Sequence, residues 1–213
     1  MRRFFSKRKS IHFEKMVLGF KVSFSEVPSR TIELFGQWSG RLSRQKLLSR
    51  MQKGDIVLAS PKTLGLSLTA LIYRLVLRSL YVHSMLYIGA GNMIHTTARH
   101  GVVVTKAPRK IYKKNRYAVL RVENLSAEKR ERIVSEALKW EGKKLDHAGL
   151  ITNVPARLLG LQKALISWEE DRIWCSKLIY QAFLAAGIEL VPPEKAHVVT
   201  SEDLMHIPHV MKI

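Results

Sequence analysis

Three short strand-like segments separated by tight turns constrain the fold of this chain more than any other feature. They comprise residues 81–89, 92–97 and 102–105. Between them lie Ala90-Gly91 and the run Arg99-His100-Gly101, and residues of these types reverse a chain within a few positions. We therefore predict an antiparallel meander in the middle of the chain.

Apolar runs on both sides of the meander add further elements. Residues 56–59 and 117–122 are strand-like, and helices are indicated after Ser126, a good N-cap residue, and after Trp174. Strands followed by a helix-rich half are typical of the α+β class. We predict an α+β fold in which an antiparallel sheet or small barrel packs against helices.

Two finer expectations concern the second half of the chain. Pro155 suits a helix start within the stretch 146–165, which is mostly helical or irregular in pattern. Gly187 suits the position just past a helix end. Residues 188–191 are then expected to add an edge strand.

The chain has a single cysteine, Cys175, in the first turn of the last of these helices. Helix N-termini present unpaired N–H groups and a positive dipole end, and both stabilise a thiolate. The acidic run 169–171 just upstream fits such an N-terminus. A cysteine placed there and a histidine on a separate strand, His83, form the skeleton of a cysteine hydrolase or acyltransferase. The alternative is a core cysteine, because free cysteine is often buried.

A second histidine, His95, lies in the next strand. If the two strands pair through the Ala90-Gly91 turn, both imidazoles become neighbours on one face of the sheet. His95 can then hold His83 in the tautomer that catalysis requires. Two histidines and a cysteine also suit zinc, but no closely spaced ligand pair accompanies them. We therefore expect neither a metal nor another cofactor.

The charge of the chain points to anionic partners. The formal net charge is +19, and residues 1–53 hold 13 Lys/Arg against 3 Asp/Glu. Residues 106–116 form a second basic block without an acid. Such fields attract anionic lipid headgroups, nucleic acid and acidic polymers, and a surface tuned for solubility explains them equally well. Zinc-finger and RNP-like patterns are missing, so nucleic acid is the less favoured partner.

Targeting features are few. The N-terminus is basic, but no apolar signal core follows it. The longest apolar stretch, 64–82, contains Arg74 and Arg78, which are costly in hydrocarbon. We predict a core or interfacial helix at 67–79 rather than a membrane span. We expect a cytoplasmic protein, with peripheral membrane association as a further option.

Four segments, taken in order, resemble one known family. They are Gly54-Asp55-Ile56-Val57-Leu58, Tyr81-Val82-His83-Ser84-Met85-Leu86-Tyr87-Ile88-Gly89, Met93-Ile94-His95 and Trp174-Cys175-Ser176-Lys177-Leu178-Ile179. The pattern resembles the circularly permuted NlpC-type papain-like cysteine hydrolases, a group that includes YiiX-like proteins and the lecithin–retinol acyltransferase relatives. In this chain the histidine precedes the cysteine, as the permuted branch requires.

The resemblance covers roughly residues 54–199. It implies a permuted papain-like catalytic domain at 54–213, after a basic N-terminal extension at 1–53. It also implies Cys175 as nucleophile at a helix N-terminus, His83 as general base and His95 as third polar residue. The chain departs from the family at Lys177, where an acidic residue is frequent, and at Leu145-Asp146, where a tyrosine–aspartate pair is frequent. These departures concern substrate contacts more than the triad.

The implied function is a thiol-dependent acyl hydrolase or acyltransferase that cleaves an amide or ester bond through a Cys–His–His thioester mechanism. Its substrate is a small-molecule, peptide or lipid acyl compound, and the basic surface favours an anionic or lipid-like one. The alternative is a basic binding module for an anionic membrane or nucleic acid, with an idle papain-like site. An anionic membrane surface at the basic N-terminal region is the expected macromolecular partner.

Overall fold

The computed structural model describes residues 13–17, 20–24, 48–61, 80–107, 115–161, 171–207 and 210–212. The chain divides into two compact units, Met1–Arg41 and Leu42–Ile213. In the first unit, strands β1 (Phe13–Val17) and β2 (Phe20–Phe24) pair antiparallel. The helix predicted at 67–79 lies outside the described residues. The second unit also includes residues 42–53, which we predicted from the sequence to belong to the basic N-terminal extension.

The described part of the second unit contains a six-stranded sheet, a short parallel pair formed by its eighth and ninth strands, and several helices. In chain order they are β3 (Ile56–Pro61), β4 (His83–Gly89), β5 (Asn92–Thr97), β6 (Gly101–Lys106), β7 (Asn115–Val122), α1 (Ala127–Leu138), β8 (Lys144–Leu145), α2 (His147–Leu158), β9 (Arg172–Ile173), α3 (Cys175–Ala185), a short 3₁₀ helix (Pro193–Lys195), α4 (Ser201–Met205) and β10 (Val210–Lys212). The arrangement confirms the mixed α+β class.

One six-stranded sheet forms the centre of this unit. Its strand order is β10-β7-β3-β4-β5-β6, and every neighbouring pair is antiparallel. The predicted meander is confirmed as the run β4-β5-β6. The order of the described strands runs from one edge to the other, so they form a sheet rather than a closed barrel.

The turns of the meander depend on residues that tolerate positive φ. Ala90 and Gly91, with φ of 50° and 74°, connect β4 to β5, and such values match a hairpin turn that follows the twist of the strands. Gly101 begins β6 at a φ of 66°. A Cβ atom there would collide with the carbonyl oxygen of Lys143, so a glycine is required at that position.

Both faces of the sheet are buried. One face carries a cluster of Met51, Val57, Ala59, Met85, Tyr87, Met93, Ala107 and Val119. The other face carries side chains with no exposed surface, namely Ile56, Leu58, Leu86, Ile94 and Leu120. Each such aliphatic side chain stabilises the fold by about 1.5–3 kcal/mol relative to an exposed position. Because both faces of the central strand are covered, β3 begins with the continuous apolar run Ile56-Val57-Leu58-Ala59.

A buried ion pair ties β3 to β7 at the start of the sheet. Asp55 has no exposed surface, and its two carboxylate oxygens accept hydrogen bonds from Arg121 Nε at 2.8 Å and Nη2 at 2.7 Å. The backbone N–H of Gln52 donates a third bond to this carboxylate, at 2.8 Å. Bidentate pairing raises the pKa of Arg121 above its usual value, since the carboxylate favours the charged guanidinium. Asp55 thus anchors the turn before β3 to β7.

Helices α1 and α3 pack against each other, and α3 also packs against β4 and β5. The Ser126 hydroxyl accepts a hydrogen bond from the N–H of Lys129 at 3.2 Å, which confirms it as the N-cap of α1. Gly187, at a φ of 76°, follows the end of α3, where the N–H of Ile188 bonds the carbonyl of Phe183. This C-terminal motif is also confirmed.

Two finer predictions are wrong. Helix α2 begins at His147 because the side chain of Asp146 caps it, and Pro155 lies inside the helix rather than at its start. Residues 188–191 form no strand; the chain runs through them into the 3₁₀ helix. Among the described helices, none has the length and apolarity needed to cross a bilayer.

Candidate active site

The meander brings His83 and His95 into contact. His83 begins β4, His95 lies in the middle of β5, and the pairing of these strands places both rings on the same face of the sheet. His83 Nε2 and His95 Nδ1 are 3.1 Å apart, with the rings nearly perpendicular at 76°. The predicted neighbourhood of the two imidazoles is confirmed.

A threonine on the third strand extends the pair. Thr105 lies on β6, and its Oγ1 is 3.0 Å from His95 Nε2. Both ring nitrogens of His95 are therefore engaged, one with His83 and one with Thr105. The sequence contained no pattern that assigned a role to Thr105; its place in the third meander strand was the available clue.

Burial keeps both imidazoles neutral. Loss of solvent lowers the pKa of His83 from 6.5 to about 4. His95 is also buried, and its pKa falls to about 4 through burial and then through the neighbouring positive charge of a protonated His83. At neutral pH each ring therefore carries one N–H and one lone pair.

Cys175 is the first residue of α3, as predicted, and 7% of its surface is exposed. Trp174 is the N-cap and supplies no side-chain hydrogen bond to the helix. The N–H groups of the first turn have no intrahelical acceptors. In the described part of the chain, no hydrogen bond joins the Cys175 sulfur to either imidazole. Contact between α3 and both histidine strands puts the two parts of the site on adjoining elements.

The two residues that flank Cys175 are fixed to one backbone carbonyl. Trp174 Nε1 and Ser176 Oγ donate to the oxygen of Val199 at 2.9 and 2.8 Å. Trp174, Ser176 and Val199 are all buried. Two hydrogen bonds to one carbonyl therefore tie the start of α3 to the segment before α4.

The carbonyl of Val199 is in turn held by the start of α4. The Thr200 hydroxyl and the Asp203 carboxylate form a reciprocal capping box. Arg157 of α2 donates to Asp203 at 2.8 Å and to the carbonyl of Val198 at 3.0 Å. These contacts connect α2, α4 and the cysteine turn, and they were not found from the sequence because the residues lie far apart in it.

A close approach between α2 and Trp174 completes this side. Asp146 is fully buried and accepts a hydrogen bond from the N–H of Gly149 at 2.8 Å. A Cβ atom at Gly149 would overlap the Asp146 carboxylate and approach the Trp174 ring to 2.9 Å. Asp146, noted in the sequence as part of a departure from the family pattern, is thus next to the tryptophan that precedes Cys175.

Lys177, the other departure, is buried in the first turn of α3 with 3% of its surface exposed. Its Nζ lies 4.9 Å from the centre of the Trp174 ring, a distance that favours a cation–π interaction. The acidic run 169–171 lies only partly in the described residues, where Asp171 contacts Arg172 at 3.6 Å.

The structure thus brings His83, His95 and Thr105 together and places Cys175 on a helix against the same strands. The zinc alternative needs at least three ligands in one place. Within the described ranges, no group of three or more His, Cys, Asp or Glu side chains is arranged to hold a metal ion.

No protein-family model matches the sequence, and a search among curated proteins finds no match. Among solved structures, the chain is similar to the crystal structure of the metalloprotein YiiX from Escherichia coli O157:H7, with a TM-score of 0.53 at 19% sequence identity. The similarity covers 76% of this chain and 96% of that one. At this level of identity the comparison shows a YiiX-like fold.

Proposed function

We propose that this protein is a thiol-dependent acyl hydrolase or acyltransferase with a permuted papain-like catalytic domain. Cys175 is the nucleophile, His83 the general base and His95 the residue that orients His83. The observation that carries the proposal is the 3.1 Å contact between the two imidazoles on strands against which the cysteine helix packs. A YiiX-like fold is consistent with it.

The geometry supports Nδ1 as the reacting nitrogen of His83. His95 occupies Nε2, which leaves Nδ1 of His83 without a hydrogen-bond partner among the described residues. With a pKa of about 4, His83 is a neutral base at physiological pH. We therefore assign proton transfer from the thiol to Nδ1 as the acyl substrate arrives, rather than a thiolate–imidazolium pair formed in advance.

The first half of the reaction forms a thioester. The sulfur of Cys175 bonds to the acyl carbon while the thiol proton moves to Nδ1 of His83. The unpaired N–H groups at the start of α3 stabilise the resulting oxyanion. The bond to the leaving group then breaks, and the leaving amine or alcohol takes the proton from His83.

The second half releases the acyl group. Water, or an acceptor alcohol or amine, attacks the thioester carbon and gives its proton to Nδ1 of His83. The carbon–sulfur bond breaks, and Cys175 recovers the proton. Amide hydrolysis, ester hydrolysis and acyl transfer share these steps, so the substrate pocket decides among them.

The test uses an activated acyl ester, p-nitrophenyl acetate, as a probe, with mass spectrometry of the intact protein. We expect a burst of nitrophenol and one acetyl group on Cys175 in the wild type. Cys175→Ala should abolish both while near-UV circular dichroism stays unchanged. Ser201→Ala, which removes another buried hydroxyl near the sheet, is the matched control and should keep the burst. A burst that survives in Cys175→Ala would contradict the proposal.

An anionic, lipid-like substrate and an anionic membrane partner are part of the same proposal. The support is the net charge of +19, together with the 13 Lys/Arg against 3 Asp/Glu in residues 1–53. Sedimentation with vesicles should show binding to phosphatidylserine-containing membranes that weakens with salt. Replacing Arg2, Arg3, Lys7, Arg8 and Lys9 by Gln should reduce it, and equal binding to uncharged vesicles would contradict the assignment. If the protein instead shifts the electrophoretic mobility of single-stranded nucleic acid in a salt-sensitive way, the result would favour the alternative binding module.

A further inference from the structure

A chain of three polar side chains crosses the meander from β6 to β4. Thr105 Oγ1 lies 3.0 Å from His95 Nε2, and His95 Nδ1 lies 3.1 Å from His83 Nε2. Thr105 is opposite Met93 in the strand register, two residues from His95, so the contact is diagonal on one face. Each of the two gaps between these groups holds one hydrogen.

The hydrogens in this chain have only two consistent arrangements, because each imidazole is neutral and carries one N–H. In the first, His83 Nε2–H donates to His95 Nδ1, and His95 Nε2–H donates to the Thr105 hydroxyl oxygen. In the second, every bond is reversed: the hydroxyl donates to His95, and His95 Nδ1–H donates to His83 Nε2. Nδ1 of His83 carries a lone pair in the first arrangement and a hydrogen in the second.

Only the first arrangement supports general-base catalysis at Nδ1 of His83. It also suits the protonated intermediate, since a His83 imidazolium donates from Nε2 and needs His95 Nδ1 as an acceptor. In the second arrangement, His83 has no lone pair to accept the thiol proton. The orientation of the Thr105 hydroxyl is therefore coupled to whether His83 is a base.

We propose that Thr105 is a positioning residue of the site, which accepts a hydrogen bond from His95 Nε2–H and so holds His83 in the tautomer with a free Nδ1. The proposal rests on the function proposed above. It adds a fourth member, which acts through His95 and does not touch the substrate. Thr105 is half-buried, so water replaces its hydroxyl only incompletely.

Removal of the Thr105 hydroxyl favours the second arrangement, in which Nδ1 of His83 carries a hydrogen. In Thr105→Val, the first arrangement leaves the His95 Nε2–H without its Thr105 acceptor, whereas the second leaves only a lone pair without a donor. Unpaired buried N–H groups are the rarer and more costly of the two. We expect about a tenfold loss of kcat with KM unchanged, corresponding to one unpaired buried polar group. Thr105→Ser keeps the oxygen and should remain within about twofold of the wild type.

The decisive experiment is long-range ¹H–¹⁵N NMR of the histidine rings in the full-length protein, which distinguishes a protonated from an unprotonated ring nitrogen. We expect Nδ1 of His83 to be unprotonated in the wild type and in Thr105→Ser, and at least partly protonated in Thr105→Val. Thr96→Val, the same change next to His95 but on the opposite face of the sheet, should leave the spectrum and kcat unchanged.

The tautomer is measured without substrate, so its outcome is separable from that of the proposed function. If the wild type is inactive but Thr105→Val shows the expected tautomer shift, the proposed enzyme function would be contradicted. The role of Thr105 in holding the tautomer of His83 would still stand. An active enzyme whose Thr105→Val variant keeps both the wild-type tautomer and kcat would overturn the role of Thr105. Equal losses in Thr105→Val and Thr105→Ser would also overturn it, because packing rather than the hydroxyl would then be responsible.

Discussion

The two sides of the candidate site are built in different ways. The histidine side comes from three consecutive strands joined by tight turns, and His83, His95 and Thr105 lie within 23 residues of sequence. The cysteine side is assembled from segments that are far apart: α2 with Asp146 and Gly149, the start of α3, and the segment that leads into α4. Local pairing determines the first side, and tertiary packing determines the second.

This difference affects what a substitution does on each side. On the histidine side, the sheet holds the backbone. Removal of one imidazole ring should therefore change the protonation of the remaining groups more than it changes their position. On the cysteine side, the carbonyl of Val199 and the Asp146–Gly149 turn hold the helix start, so a change there moves Cys175. Substitutions on the first side should alter chemistry at constant stability, and those on the second side should alter both.

The largest expected effect is on the histidine side. His83→Asn keeps a polar side chain of similar size but removes the proposed base, and we expect the rate of Cys175 acylation to fall by about 10²–10⁴-fold. The free energy of unfolding at neutral pH should change little, since the ring is uncharged in the folded protein at that pH and Asn keeps a polar side chain beside His95. Stopped-flow acylation and urea unfolding measure the two quantities.

His100→Asn is the control, because His100 is exposed in the turn after β5. It should leave the acylation rate unchanged. A His83→Asn variant that acylates as fast as the wild type would show that this histidine is not the base.

The histidine pair also predicts a loss of stability in acid. The pKa of both rings is about 4 in the folded protein and 6.5 in the unfolded chain, so the unfolded chain binds more protons between these values. Stability is therefore complete above pH 6.5 and decreases as the pH falls towards 4, by up to about 1.4 kcal/mol per pH unit for each histidine.

Urea unfolding at pH 7 and pH 5 measures this slope. The double variant His83→Asn/His95→Asn lacks both titrating groups and should lose most of the pH dependence in that range. The same slope in the wild type and the double variant would mean that other groups cause the acid sensitivity.

The same division explains what the sequence predicts and what it does not. Strand alternation and the Ala90-Gly91 turn were enough to place His83 beside His95, because a hairpin register converts sequence distance into spatial distance. The start of α3 at Cys175 was also predictable from local pattern. The shared acceptor at Val199 was not, because nothing in the sequence indicates that residues 23 to 25 positions apart meet.

Pro155 shows how one local signal overrides another. Its pattern favoured a helix start, but the buried Asp146 caps α2 nine residues earlier. Asp146 accepts a hydrogen bond from the N–H of Gly149, three residues on, which is the usual N-cap contact of an Asp. What the sequence did not indicate is that Trp174 approaches Gly149 closely, since the two residues lie 25 positions apart.

A test of the cysteine side is Gly149→Ala. The new methyl group would overlap Asp146 and press on Trp174, and overpacking of this kind costs about 1–3 kcal/mol. We expect lower stability together with slower Cys175 acylation, while the His83 tautomer observed by NMR stays the same. Gly160→Ala is the control; its Cβ meets no atom within 4 Å, so only the cost of its positive φ remains and acylation should be unaffected.

The smallest expected effect comes from Ser176→Ala. It removes one of the two bonds to the carbonyl of Val199 while Trp174 keeps the other, so the loss of stability should be about 0.5–1.5 kcal/mol. Because Ser176 adjoins Cys175, acylation should slow by a few-fold through misplacement of the sulfur, with the acid limb of the pH profile unchanged. Ser135→Ala, which removes an exposed hydroxyl on α1, should change neither quantity. A Ser176→Ala variant that shifts the pH profile would instead mean that the cysteine turn influences the protonation of His83, and the two sides of the site would then not be independent.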